Sequence, residues 1–414
     1  MRLTRGLLAH AQTALAGMMQ FSGPADEALS RYFRGHRELG QQERAFVAET
    51  VFGILRRKRS LEAAAGSAEP SALVAAALLR VQGLSARSLE GLVDGELAAR
   101  IRGVRPDALP VATRADLPDW LWERLAAERG EAEALRIAQA MLNPAPLDLR
   151  VNLARTSRDE VLQRLARDDI GAVATPLSPA GVRLAAKPAI NRHELFRQGL
   201  VEVQDEGSQL LAWLVAPRRG EMVADYCAGA GGKTLALGML MRGTGRIYAM
   251  DTSPKRLAAL GPRAARAGIT NVHSIVLSGE NDARAQRLAG KLDRVLVDAP
   301  CSGFGTLRRN PDFKWRLGAQ AVTELASKQA RILHAAAHLV KDGGRLVYAT
   351  CSLLRDENDA IADAFATAHP EFEPLDCGAA LAAQRIEVSG ERLQLWPHRH
   401  ATDGFFAAAF VRRG

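Results

Sequence analysis

Apolar residues recur at three- and four-residue intervals from the start of the chain, at Leu7, Leu8, Ala11, Leu15 and Met18. That spacing lays them on one face and predicts an amphipathic helix. His10, Gln12 and Thr13 break the apolar run, which reads against a signal peptide. In QQERAFVAETVFGILRRKRSLEAAAG, Phe46, Val47, Val51, Ile54 and Leu55 share a helical face. Its basic cluster, Arg56, Arg57, Lys58 and Arg59, fits a solvated helix end and contact with phosphates equally well. Residues 1–135 are therefore expected to be all-helical.

Near Asn143-Pro144-Ala145-Pro146 the period changes. Residues 147–153 alternate as a strand, 158–167 read as a short helix, and 173–175, 182–184 and 200–203 are further strands. Residues 136–204 are expected to form a small α/β module. From Asp205 to the C-terminus at 414 strands and helices alternate, with strands at 222–226, 246–250, 274–276, 294–297 and 345–349. That order predicts a doubly wound, Rossmann-like sheet.

The chain has 414 residues and a net charge of +9 from 55 basic and 46 acidic side chains, which favours a polyanionic partner such as RNA or DNA. No stretch is long and apolar enough to span a membrane. The four cysteines, Cys227, Cys301, Cys351 and Cys377, form no C-x-x-C pair, so neither a zinc site nor a disulfide framework is expected, as suits a reducing cytoplasm.

The stretch DYCAGAGGKT (225–234) joins an expected strand to an expected helix. A Walker A loop would need glycine where Cys227 stands, and G-x-G-x-x-G would need one at Thr234, so an NTPase is disfavoured. What remains is a glycine turn that brings backbone N–H groups to a nucleoside at a helix N-terminus. The other strand ends carry chemistry too. Asp251 stands 19 residues beyond Gly232, where an acid can bind ribose hydroxyls, and Asp282 is a candidate for an adenine amine. The last two strands end in Asp298-Ala299-Pro300-Cys301 and Thr350-Cys351-Ser352. A thiolate that adds to C6 of a cytosine makes C5 nucleophilic toward an electrophilic methyl group. Asp298 is placed to hold the N3/N4 edge and Lys233 to supply positive charge. Which thiol attacks is open on these grounds.

The segments VQDEGSQLLAWLV, DYCAGAGGKT, MDTSPKRL, LDRVLVDAPCSGFGTLRRNPDFKW, GGRLVYATCSLLRDEND and HRHATDGFFAAAF, in this order, make the chain resemble the RsmB/Sun (Nop/Sun-type) family of RNA cytosine-C5 methyltransferases. QQERAFVAETVFGILRRKR looks like the NusB-like helical domain of its bacterial 16S rRNA members. The resemblance implies S-adenosylmethionine held by Cys227, Ala228, Gly229, Ala230, Gly231, Gly232, Lys233, Asp251, Asp282 and Asp298. It implies Cys351 as nucleophile, Cys301 in product release, and a cytoplasmic enzyme, expected to be monomeric and metal-free, acting on 16S rRNA. The same chemistry on tRNA, and a non-catalytic assembly factor, are the competing readings. Cys227 is expected to be structural. Gly229-Ala230 departs from the family's usual Ala-Pro, which would loosen the loop and weaken cofactor binding. In RRNPDFKW, Arg308, Arg309 and Lys314 are expected to grip RNA phosphates, with Phe313 and Trp315 packing. His398, Arg399 and His400 are expected on a surface hairpin.

Overall fold

The computed structural model of the chain describes residues 3–414. They fall into two units. The first takes the described residues up to Pro144 together with Thr306–Gln320, and the second takes Ala145–Gly305 and Ala321–Gly414. Among the described residues, no helix is long and apolar enough to cross a membrane.

The first unit is helical. Thr4 caps the helix Arg5–Met18 by accepting the Leu7 amide at 3.2 Å, and the predicted face of Leu7, Leu8, Ala11, Leu15 and Met18 is buried. The expected boundary at 135 lies inside the helix Glu131–Ala140. The segment through Arg56–Arg59 forms two helices, Gln41–Arg56 and Lys58–Ala65. Asp116 causes the break: its carboxylate accepts the Ser60 amide at 2.9 Å and the Ser60 hydroxyl at 2.6 Å, capping a new first turn from a distance in sequence.

The second unit holds two sheets. Strands β1 (Leu147–Val151), β2 (Ala172–Ala174), β3 (Gly181–Leu184) and β4 (Val201–Val203) form an antiparallel sheet in the order β2-β3-β1-β4. The larger sheet contains β5 (Met222–Asp225), β6 (Arg246–Asp251), β7 (Val272–Val276), β8 (Leu292–Asp298), β9 (Val340–Thr350), β10 (Phe372–Leu375), β11 (Leu393–Leu395) and β12 (Phe405–Arg412). Its order is β10-β12-β9-β8-β5-β6-β7, with β11 also paired to β12. Strands β5 to β9 are parallel, and β12 runs antiparallel to β9. The near-continuous apolar runs of β5, β8 and β9 follow from burial on both faces; Val223, Val295, Leu296, Val347 and Tyr348 are all fully buried. Chain order reverses at β5, with β6 on one side and β8 on the other, so the crevice that binds ligands in such sheets opens where β5 ends.

Candidate active site

At that end of β5 the chain turns through Tyr226–Gly231 into the helix Gly232–Leu240. The turn is pinned between its neighbours: Tyr226 donates its amide to Leu296 at 2.8 Å, Ala228 to Met250 at 2.8 Å, and Gly229 to the Asp251 carboxylate at 2.9 Å. Gly229 and Gly231 have φ of 55° and 86°, in the left-handed region. A Cβ on Gly231 would stand 2.2 Å from Leu260 Cδ1, whereas one on Gly229 would meet nothing closer than 3.8 Å. Glycine at 229 thus suits the backbone better than alanine would, and the turn keeps its anchors without the proline. From β1, the buried Arg150 donates to the Gly232 carbonyl at 2.8 Å and to the Gln204 side chain.

Four acids surround this turn. Asp225, fully buried, accepts the Thr234 hydroxyl at 2.7 Å, while its other oxygen has no partner; burial pushes its pKa up to about 6. Asp251 also accepts the Ser253 amide at 2.7 Å and an Arg256 N–H at 3.1 Å. Asp282 caps a short helix; its oxygens take the Ser278 amide and hydroxyl and the Arg284 amide and guanidinium, which hold the carboxyl far below its usual range. A ligand amine at Asp282 must therefore share the carboxylate with Arg284. Asp298 closes β8 and pairs with Lys233 Nζ at 2.5 Å. Burial works against the Lys233 charge, but Asp298 outweighs it and raises the pKa; the Cys351 sulfur adds to the attraction.

Strands β8 and β9 pair in register, Asp298 opposite Ala349, so the segments leaving them stay side by side. The Cys301 and Cys351 sulfurs lie 3.4 Å apart, both half-buried and free. The hydrogen bond that Cys301 donates to Cys351, together with burial and the negative charges of Cys351 and Glu357, holds the Cys301 thiol well above its ordinary pKa. Gly305 donates its amide to the Cys351 carbonyl at 2.8 Å, and Gly404 donates to Gly305 at 2.8 Å. A Cβ on Gly305 would come within 2.1 Å of the Gly404 carbonyl, so only glycine permits this approach. Thus the DGFF segment belongs to the wall of the site. Cys227 is half-buried against the core, with burial and the nearby acids raising its pKa, and Cys377 is fully buried.

Sequence reasoning passed over the residues behind the thiols. Gln329, Glu357 and Asn358 are buried and bonded to the residues that flank Cys301 and Cys351. In sequence they are three polar positions with no role assigned, and the signal that could have found two of them is that Glu357 and Asn358 lie inside the family-like segment GGRLVYATCSLLRDEND that carries Cys351.

The basic residues expected at RNA are mostly internal to the first unit. Lys314 is buried, its ammonium donating to the Arg56 carbonyl at 2.8 Å and the Asp116 carbonyl at 2.6 Å, so it cannot reach a phosphate. Arg308 is buried too, and its carbonyl accepts the Arg56 guanidinium at 2.8 Å. Arg309 is half-exposed. Arg57 and Arg59 donate to the Leu142 and Leu117 carbonyls at 2.7 and 2.5 Å, and Lys58 pairs with Glu62. The Arg56–Arg59 cluster is therefore neither a solvated end nor a free cationic patch. Trp315 packs as expected, with its indole N–H donating to Leu55 at 2.7 Å. His398–His400 lie in a one-turn helix, Pro397–His400, between β11 and β12, where His400 accepts the Trp396 amide at 2.9 Å.

A parallel sheet with a glycine turn at its switch point and an acid at the end of each adjoining strand defines the class, a Rossmann-like methyltransferase, with two thiols added. Comparison with known proteins narrows this. Residues 212–411 match the model of the family described as 16S rRNA methyltransferase RsmB/F, and residues 117–191 match the ferredoxin-like domain of RsmF/B-like proteins. A probable ribosomal RNA small subunit methyltransferase B of Synechocystis is 33% identical over 92% of this chain and 94% of its own. Its counterpart in Bacillus subtilis is 36% identical over 73% and 68%. The solved structure of PH0851 superposes with a TM-score of 0.78 at 25% identity, covering 99% of this chain and 100% of its own. A methyltransferase homolog protein from Pyrococcus horikoshii gives 0.63 at 30% identity, over 75% and 100%. The chain belongs to the RsmB/F family of ribosomal RNA methyltransferases.

Proposed function

We propose that the protein methylates C5 of a cytosine in 16S rRNA, with Cys351 bonding covalently to C6 of the target base. The observation that carries this reading is the pair of thiols 3.4 Å apart at the ends of adjacent strands, beside the Lys233–Asp298 ion pair. Family membership supports 16S rRNA as the substrate. The glycine turn at Cys227–Gly232, the partnerless oxygen of Asp225 and the carboxylate of Asp251 fit an adenosyl cofactor, S-adenosylmethionine. Residues Cys227–Lys233, Asp251, Asp282 and Asp298 would hold it. When bound, S-adenosylmethionine supplies an electrophilic methyl group.

The cytosine must be unpaired or flipped out to reach the thiols. Asp298 holds its N3/N4 edge. The Cys351 thiolate adds to C6, and the electron pair of the C5–C6 double bond makes C5 nucleophilic. Once C5 is methylated, a base takes its proton, the C5–C6 double bond re-forms and the C6–S bond breaks, returning Cys351. The likeness of Thr350-Cys351-Ser352 and Asp298-Ala299-Pro300-Cys301 to the family's two cysteine segments supports Cys351 as nucleophile and leaves release to Cys301. Of the three basic residues after Cys301, Arg309 is the one exposed enough to meet RNA.

The test is transfer of labelled methyl from S-adenosylmethionine into unmodified 16S rRNA and, separately, tRNA. Label in 5-methylcytosine of rRNA, abolished in Cys351→Ala, and a stalled covalent RNA adduct in Cys301→Ala are expected. Label confined to tRNA would overturn the substrate. Cofactor binding with no label in either RNA would overturn the catalytic reading in favour of an assembly factor.

A further inference from the structure

Glu357 is wholly buried, and among the described residues no lysine or arginine pairs with it. Four donors converge on its carboxylate instead. One oxygen accepts the Ser302 amide at 2.8 Å and the Gln329 side-chain amide at 3.0 Å; the other accepts the Ser302 and Ser352 hydroxyls, both at 2.5 Å. Ser302 follows Cys301 and Ser352 follows Cys351. The residues before the two thiols are held by the same group. Gln329 donates to the Pro300 carbonyl at 3.0 Å, and the Thr350 hydroxyl donates to Asn358 at 2.5 Å. Asn358 also donates to the Ser352 carbonyl at 3.1 Å. The Tyr348 hydroxyl lies within hydrogen-bond distance of both Gln329 Oε1 (3.1 Å) and the Glu357 carbonyl (2.6 Å), tying the set to β9.

We propose that Glu357, supported by Gln329 and Asn358, is a positioning residue that fixes the separation and aim of the Cys301 and Cys351 thiols for methyl transfer. The proposal rests on the reading of these thiols as the reacting pair. An ionised carboxylate is the side chain that suits the place, because it offers two oxygens, each with two acceptor sites, and brings no proton to compete. A buried carboxylate without a cation is a poor source of stability, since an apolar side chain would fill the space without the desolvation cost. What it adds is directional, charge-assisted bonding across two separate chain segments. Its charge also helps keep the Cys301 thiol protonated. Glutamine at 357 keeps one acceptor oxygen for the Ser302 amide and Gln329 but turns an NH2 toward the two hydroxyls. Ser352 Oγ already accepts the Leu354 amide at 3.1 Å, so that half of the clasp weakens.

The experiment uses the full chain as wild type, Glu357→Gln and Glu357→Ala, with three measurements. The first is S-adenosylmethionine affinity by calorimetry, which reports whether the fold survives. The second is the rate at which diamide, a two-electron thiol oxidant, joins Cys301 to Cys351, followed by mass spectrometry. The third is the steady-state kinetics of methyl transfer to 16S rRNA. A displacement of about 1 Å at reacting atoms lowers a rate roughly 100-fold, so kcat should fall about that much in Glu357→Ala and roughly tenfold in Glu357→Gln, with KM and cofactor affinity little changed. Disulfide formation should slow in the same order. Loss of the Glu357 charge would by itself ease ionisation of Cys301 and speed oxidation, so slower joining can only come from lost geometry. Disulfide formation at the wild-type rate in Glu357→Ala overturns the proposal, whatever happens to kcat. Where Glu357→Ala no longer binds cofactor, Glu357→Gln and Ser352→Ala decide by the same criteria. If the wild type methylates no RNA, the functional reading fails while the disulfide rates still judge the positioning role.

Discussion

Two glycines share the turn after β5, yet alanine should affect them very differently. Both lie in the left-handed region, so a Cβ at either costs roughly 1–2 kcal/mol of backbone strain. At Gly229 that is the whole cost, because the nearest atom to the added Cβ is 3.8 Å away on the flexible Arg256. At Gly231 the Cβ would sit 2.2 Å from Leu260 Cδ1, 3.0 Å from its Cγ and 3.2 Å from its Cβ. Leu260 is fully buried and starts the helix Leu260–Ala267, so it cannot swing aside and overpacking adds about 1–3 kcal/mol. The turn escapes by leaving its binding conformation, so these energies appear as lost affinity at about 1.4 kcal/mol per tenfold. Gly229→Ala should weaken S-adenosylmethionine binding by roughly 5- to 30-fold and Gly231→Ala by at least about another 5-fold on the same conversion. Calorimetric titration of the two variants reads this directly. A double-mutant cycle of Gly231→Ala with Leu260→Ala isolates the clash, with an expected coupling of about 1–3 kcal/mol. Equal affinities for the two single variants, or a coupling near zero, would refute the steric argument.

Burial and the neighbouring positive charges bring the pKa of Lys314 down to about 7, below its value in an unfolded chain. Between about pH 7 and 10 the unfolded chain then carries a proton that the folded one lacks, so stability should rise with pH by up to about 1.4 kcal/mol per unit. Denaturant melts of wild type and Lys314→Met across that range should show the slope in the wild type alone; a slope that survives in Lys314→Met would contradict the assignment. A fragment that begins at Ala145 lacks the Arg56, Asp116, Leu55 and Ala25 partners of residues 306–320, and limited proteolysis should cut there first. Arg150→Met removes a donor to the Gly232 carbonyl at a cost of about 1–3 kcal/mol, which calorimetry should detect as weaker cofactor binding. Arg309→Ala should reduce the salt dependence of RNA binding by close to one ion, while Arg308→Met should leave that slope unchanged.

What could be read along the chain was whatever depends on near neighbours. The face of the first helix and the apolar runs of β5, β8 and β9 are local patterns, and burial follows them; the alternation of β1 located the strand but not its burial, since Asp148 and Arg150 are buried beside Leu149 and Val151. The switch point could be read as well, since strand order follows from the regular alternation of strands and helices, and Cys301 and Cys351 follow strands that turn out to be adjacent. The errors share one cause. Lys314 meets carbonyls that lie 258 and 198 positions away, and Arg57 and Arg59 meet carbonyls 85 and 58 positions away. No local pattern reports such partners. Glu357 was missed for the same reason: its donors come from three segments, and a carboxylate in the run Arg-Asp-Glu-Asn looks like an exposed one. The net charge of +9 gave the sign of the partner but not its place, because Arg56, Arg57, Arg59 and Lys314 spend their donors on backbone carbonyls. A guanidinium that satisfies a helix end or a buried loop is as basic in composition as one facing a phosphate. A cationic run therefore argues for RNA only as far as its side chains reach solvent, and in this chain Lys314 and Arg308 are buried while Arg309 is half-exposed.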